Sequence, residues 1–338
     1  MMRRILRVAT RALLVGAFLA AGIVAFVLYP VTPPHLIFPG GKRFAFTIVD
    51  DTDQATLERG RPLYEVLHRA GLRTTKTVWA LETGSQSVPT DQGASLREAA
   101  YRDWILELQR QGFEIGLHGV RGGSSDRATV LAGLEEFKRT LGAYPRLHVN
   151  HALNRENLYW GEHRWWFAPF RWAFQAGREH RFEGHLPDSP YFWGDLARDR
   201  LRYVRRFTYS EINLLRVNPW MPYRISGMEY VPYWFEGSDG GSIDQFVELL
   251  SDRNLDRLEQ EGGVTLVYAH LGAGSFNKNS GADPRFVDRI EAVSRRQGWF
   301  APASEILDYL AAQPGWTPEP SVRQKLRLEL WFILDRVF

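Results

Sequence analysis

Three carboxylates, Asp50, Asp51 and Asp53, fall within four positions directly after the apolar and β-branched stretch Phe44–Val49. Crowding like charges is costly unless a metal or another cation offsets them. The stretch reads as a strand buried on both faces, which puts the acids at its carboxyl end, where β/α folds place their chemistry. The plainer alternative is that Asp50 and Asp53 cap a helix beginning near Thr56. A second strand-like segment, Phe113–His118, ends on an imidazole followed by Gly119. A histidine at a strand end of the same series can converge with the aspartates over a shared mouth.

The elements that must position these groups alternate in kind. Thr56–Ala70 reads as a helix closed by Gly71, Thr74–Trp79 as a strand, and Leu96–Arg110 as an amphipathic helix. After Phe113–His118, Ser124 or Ser125 caps a helix to about Leu141, and Pro145–Asn150 is a further strand. Ser242 caps a helix to Leu250, Val264–Ala269 is a strand, and Pro284–Arg296 and Ala303–Ala312 are helices. This alternation predicts an α/β class protein with parallel strands, a sheet or a barrel. Between about Leu158 and Glu236 the rhythm breaks into a stretch dense in aromatics and arginines, read as enlarged loops. In the tail, Leu326, Leu330, Ile333 and Val337 have helical spacing, which predicts a helix docked on its own domain or lying on a membrane.

The 338 residues are 44% hydrophobic and 24% charged, a globular balance. There is no cysteine, which excludes disulfides and thiolate metal sites. Residues 1–30 carry four arginines and no acid, followed within that segment by the uncharged run Ala12–Tyr29. Such a run is long enough to cross a bilayer, and arginines on its amino-terminal side place the remainder outside. The rest of the chain is nearly neutral, with 38 basic against 39 acidic residues, so no nucleic-acid footprint is present.

Phe46-Thr47 through Asp50-Asp51 resembles the first motif of the NodB-type polysaccharide deacetylases, carbohydrate esterase family 4. Glu114-Ile115-Gly116-Leu117-His118 resembles their second motif, and Val264–His270 their last. The resemblance covers about residues 43–312. It implies a (β/α)7-type distorted barrel and a divalent metal, commonly zinc, held by one aspartate and two histidines. Carried over, Asp50 is the general base, Asp51 and His118 are metal ligands, and His270 is the acid that protonates the leaving amine. Two positions depart from the pattern. Gly122 stands where the second motif has another histidine, and Arg146-Leu147-His148-Val149-Asn150-His151 replaces the arginine-proline motif. His151, at the rim of its strand, is the better substitute ligand, with His148 the other.

The aromatic stretch suits a saccharide, since indole faces stack on pyranose rings. Trp160 and Trp165 are expected to line the cleft with Trp166, while Asn150 and Arg155 bind sugar hydroxyls or, with Arg164 and Arg171, an anionic sugar. The expected organisation is an anchor over 1–30, a linker over 31–42, a barrel over 43–315 with enlarged loops at 158–236, and an amphipathic helix over 316–338. The predicted protein is an outward-facing, membrane-anchored hydrolase that removes N-acetyl groups from an envelope or exported polysaccharide. The alternatives are a glycoside hydrolase pairing an aspartate with Glu114, Glu156 or Asp195, and a non-catalytic glycan-binding subunit. Neither the oligomeric state nor the glycan follows from the sequence.

Overall fold

The computed structural model describes residues 22, 24–83, 92–175, 181–279 and 281–337. Seven parallel strands close on themselves: β1 (Phe44–Asp50), β2 (Thr75–Val78), β3 (Glu114–Leu117), β4 (Leu147–His148), β5 (Tyr203–Tyr209), β6 (Tyr233–Asp239) and β7 (Val264–Ala269). β7 pairs back onto β1 from Ala45 to Asp50, so the barrel has no open edge there. Of β1, β2 meets only Val49 and Asp50, and a short strand, Gly298–Phe300, fills the same edge beside Phe44–Phe46. Every residue of β1 is buried, as a strand enclosed by barrel on one face and helices on the other must be.

Helices α1 (Leu57–Arg69), α2 (Ala99–Arg110) and α3 (Arg127–Leu141) follow β1, β2 and β3. Thr56 caps α1 by accepting the Arg59 N–H at 3.3 Å. α3 is capped by Asp126, which accepts from Thr129 N at 2.9 Å, and not by Ser124 or Ser125 as the sequence reading had it. Those serines are used elsewhere. Ser124 Oγ accepts from Arg155 N, and Ser125 N donates to Glu156 Oε2.

The larger correction concerns residues 158–236. One barrel strand, β5, lies inside the stretch read as loops, and a second, β6, begins within it. The paired arginines of β5 hid its alternation. Arg205 reaches inward to Asp51, while Arg206 points outward to Glu329, the opposite faces that a strand's two-residue period requires.

Glu329 belongs to α4 (Val322–Val337), the tail helix, which docks on the barrel. Its carboxylate receives Arg206 Nη2 and the backbone N–H groups of Trp166 and Phe167, and both charged side chains of the pair are fully buried. Tyr209 OH donates to Leu328 O at 2.9 Å. At its other end, Arg323 donates to Phe26 O and Arg327 to Leu28 O. No helix among the described residues is long and apolar enough to cross a membrane, and most of the expected Ala12–Tyr29 anchor lies outside the described residues.

Breaking one side of a buried ion pair leaves an uncompensated charge, at a cost of about 3–5 kcal/mol. Glu329→Ala is therefore expected to lower the unfolding free energy by about that amount, read in a denaturant titration, whereas exposed Asp199→Ala leaves it nearly unchanged.

Candidate functional site

Strand alternation sorts the three aspartates. Asp50 is the last residue of β1 and turns outward to the helix layer. Its Oδ1 accepts Leu271 N at 2.8 Å, and its Oδ2 faces both Tyr64 OH of α1 and Lys76 Nζ of β2 at 3.0 Å. Burial raises its pKa against the lowering influence of Lys76 and these hydrogen bonds. With its oxygens engaged and no face on the cleft, Asp50 is a structural ion-pair partner, which corrects its expected place in the catalytic set.

Asp51, one residue on, turns inward. Arg205 grips it with two parallel hydrogen bonds, Nη1 to Oδ1 at 3.0 Å and Nη2 to Oδ2 at 2.6 Å. Asp53 follows in a turn whose next residue, Gln54, has φ +58°. Three imidazoles converge on its carboxylate. His118 Nε2 and His151 Nε2 lie 3.2 and 3.0 Å from Oδ1, and His270 Nε2 lies 2.8 Å from Oδ2. Burial alone would raise the Asp53 pKa. The His118 charge and hydrogen bonds to all three rings outweigh it and hold the carboxylate well below its usual range. Burial likewise opposes protonation of His270, yet the bond to Asp53 and the Asp51 charge raise its pKa.

Each ring arrives from a different β/α unit. His118 follows β3, and Gly119 at φ +65° turns the chain sharply behind it. His270 follows β7, where Gly272 lets the loop press on the Asp53 turn. A Cβ at Gly272 would sit 2.4 Å from Ala55 Cα. His151 lies three residues past β4. His148, the other substitute ligand, instead packs edge-on to Trp193, bonds Asn150 Oδ1, and has its pKa pushed down to about 3 by burial.

The donor set fits a divalent cation. A carboxylate oxygen and two imidazole nitrogens lie within 4.8 Å of one another, a combination suited to zinc with a coordination position left open. The hydrogen-bond order behind His151 points the same way. Asn154 Nδ2 donates to Arg121 O and Glu156 Oε1, so its Oδ1 faces His151 Nδ1 at 3.2 Å and accepts that proton. With Nδ1 turned to Asn154, Nε2 is the ring nitrogen of His151 presented to the Asp53 cluster, the order that a metal-ligating imidazole needs. His118 Nδ1 is buried without a hydrogen-bond partner.

The cluster lies in the wall of a cleft of about 680 Å³ whose lining includes Asn150, Trp160, Arg164, Arg205, Asp239 and Tyr268, and Phe332 and Arg336 of α4. The remaining expected residues divide. Trp160 is at the cleft, its indole N–H fixed to Ala152 O. Asn150 lines it too, but its amide is committed to both backbone groups of Leu158. Arg155 is off the cleft, paired with Glu183 and stacked on Tyr191. Trp165 is core, stacked on Phe174 at 4.3 Å. None of the acids offered as a glycosidase partner lines the cleft. Glu114 is bonded to Thr75 and Ser304, Asp195 to Arg127, and Glu156 to Ser125 and Asn154.

The sequence reading missed Arg205, and it counted Asp53 in the carboxylate cluster or as a helix cap without naming it a ligand. Alternation offered a signal: Phe44, Phe46 and Ile48 share a face with Asp50, while Ala45, Thr47 and Val49 share one with Asp51. The bulkier, more aromatic set belongs against helices.

Glu156 gives the site a pH signature. Burial raises its pKa from 4.5 to about 7 against the bonds from Ser125 and Asn154. The stability it contributes is therefore fully present below pH 4.5 and lost as pH rises through about 7. Thermal unfolding should show this decline, and Glu156→Gln should remove part of its slope across the same window.

No family model matches the sequence, and no curated protein matches it. Among solved structures, a "putative polysaccharide deacetylase" from Mycobacterium smegmatis matches with a TM-score of 0.52 at 16% identity, covering 87% of this chain and 98% of that one. The allantoinase Puue matches at 0.48 and 14% identity, over 84% of this chain and 96% of that one. A "probable Polysaccharide deacetylase" from Pseudomonas aeruginosa PAO1 matches at 0.48 and 12%, again over 84% and 96%. The chain shares its fold with the Mycobacterium smegmatis protein.

Proposed function

We propose that the protein is a metal-dependent hydrolase that removes N-acetyl groups from an amino-sugar polysaccharide. The observation that carries this reading is the meeting of Asp53, His118 and His151 beside an Arg205-held Asp51 and an Asp53-bonded His270 on one cleft wall. The cation belongs to Asp53, His118 and His151, which moves the metal role one acid further along than the motif resemblance implies. When bound there it supplies Lewis acidity, acidifying a water and polarising an amide carbonyl.

The chain's own groups do the proton work. Arg205 locks the Asp51 carboxylate in one orientation, and Asp51 takes a proton from the attacking water as its oxygen bonds to the acetyl carbon. His270, held by Asp53 on the cleft wall, gives its proton to the sugar nitrogen as the carbon–nitrogen bond breaks. Acetate and a free amine result. The arginine-flanked run at residues 12–29 supports an outward-facing enzyme at a membrane, acting on an envelope or exported glycan.

Elemental analysis of the full chain should find about one divalent metal per molecule, lost in His151→Ala and kept in His148→Ala. A chain that takes up no metal, even when refolded with zinc, would falsify the reading. Acetate release from N-acetylated oligosaccharides separates the two adjacent acids. Asp51→Asn should reduce it about a hundredfold or more. Asp50→Asn should mainly destabilise the fold, by about 3–5 kcal/mol, by stranding Lys76.

A further inference from the structure

The cleft holds three arginines, and two already have acids. Arg205 is held by Asp51, and Arg336 bonds Asp239 at 2.9 Å and Thr208. Arg164 has no carboxylate within ion-pair distance among the described residues. It ends the short 3-10 turn Gly161–Arg164 and lines the same cleft as the Asp53 cluster. Its Nη2 donates to the backbone carbonyl of Arg206, and its Nε is buried with no hydrogen-bond partner.

The guanidinium is boxed by rings. It lies 4.1 Å from the Trp160 centroid, 4.6 Å from Phe207 and 5.3 Å from Phe332. Ring quadrupoles offset part of the cost of burying a cation, but they accept no conventional hydrogen bond. The charges behind it are tied to other groups. Arg206 is matched by Glu329, and Glu236 receives Tyr223 OH at 2.6 Å, with burial raising its pKa to about 6. Burial and the neighbouring Arg206 bring the Arg164 pKa down to about 9 against the raising influence of Glu236, which leaves it charged at neutral pH with no carboxylate in ion-pair contact among the described residues.

We infer that the cleft takes an acidic glycan, with the carboxylate of a uronic-acid-type sugar seated on Arg164 and a sugar ring laid against Trp160. A guanidinium edge matches a carboxylate in geometry and charge, and the indole offers a flat face beside it. This inference rests on the glycan reading of the cleft but not on the deacetylation step.

The test uses probes without acetyl groups, so that binding is read apart from turnover. The full chain is titrated calorimetrically with oligogalacturonate and with a neutral cello-oligosaccharide of equal length. The parent protein is expected to bind the acidic probe at least about tenfold more tightly, the worth of one charge-assisted hydrogen bond. Arg164→Met should abolish that preference and Arg164→Lys should retain part of it, with metal content and melting temperature as checks on folding. Equal affinity for the two probes, no binding of the acidic probe, or a preference that survives in a folded Arg164→Met overturns the inference. Acetate release from N-acetylated oligosaccharides is assayed in parallel. Its absence alongside an Arg164-dependent preference would sink the deacetylase reading and leave the acidic-glycan inference standing.

Discussion

Three imidazoles meeting one carboxylate is the constraint around which the molecule is built. Asp53, His118, His151 and His270 come from four separate β/α units, and no segment of the chain can assemble them alone. Only a closed barrel gathers four strand ends into one rim. Closure in turn requires β1 to serve β7, β2 and the strand Gly298–Phe300 together, which accounts for its complete burial.

Every acid at the end of β1 has its own cationic or proton-donating partner, and the partners sit on different sides of the wall. Lys76 holds Asp50 in the helix layer, Arg205 holds Asp51 within the barrel, and imidazoles hold Asp53 at the rim. The division lets three carboxylates crowd four positions without mutual repulsion deciding the fold. It also gives adjacent residues unlike duties, since a strand sends neighbours in opposite directions.

That division limits what the sequence can disclose. The barrel was legible because β1 and β7 are mostly apolar and β-branched runs and the segment through β3 ends on an imidazole, and His118 and His151 stood out by their places after strands, His270 by the motif resemblance. The pairing of Asp50 with Lys76 was not legible, because it depends on which face of β1 meets the helices. β5 was obscured because Arg205 and Arg206 look like loop residues until each is seen with its acid. Trp165 and Trp160 are indistinguishable by composition, yet one is packed on Phe174 and the other borders the cleft.

Helix α4 gives the site an order of assembly. Once the chain has been synthesised through His270, all seven barrel strands and all the residues that meet at Asp53 are present. Phe332 and Arg336, which complete the cleft wall, emerge from the ribosome only afterwards. A nascent chain thus holds the residues of the Asp53 cluster before it holds the helix that completes the cleft wall, the helix that Glu329 ties to Arg206.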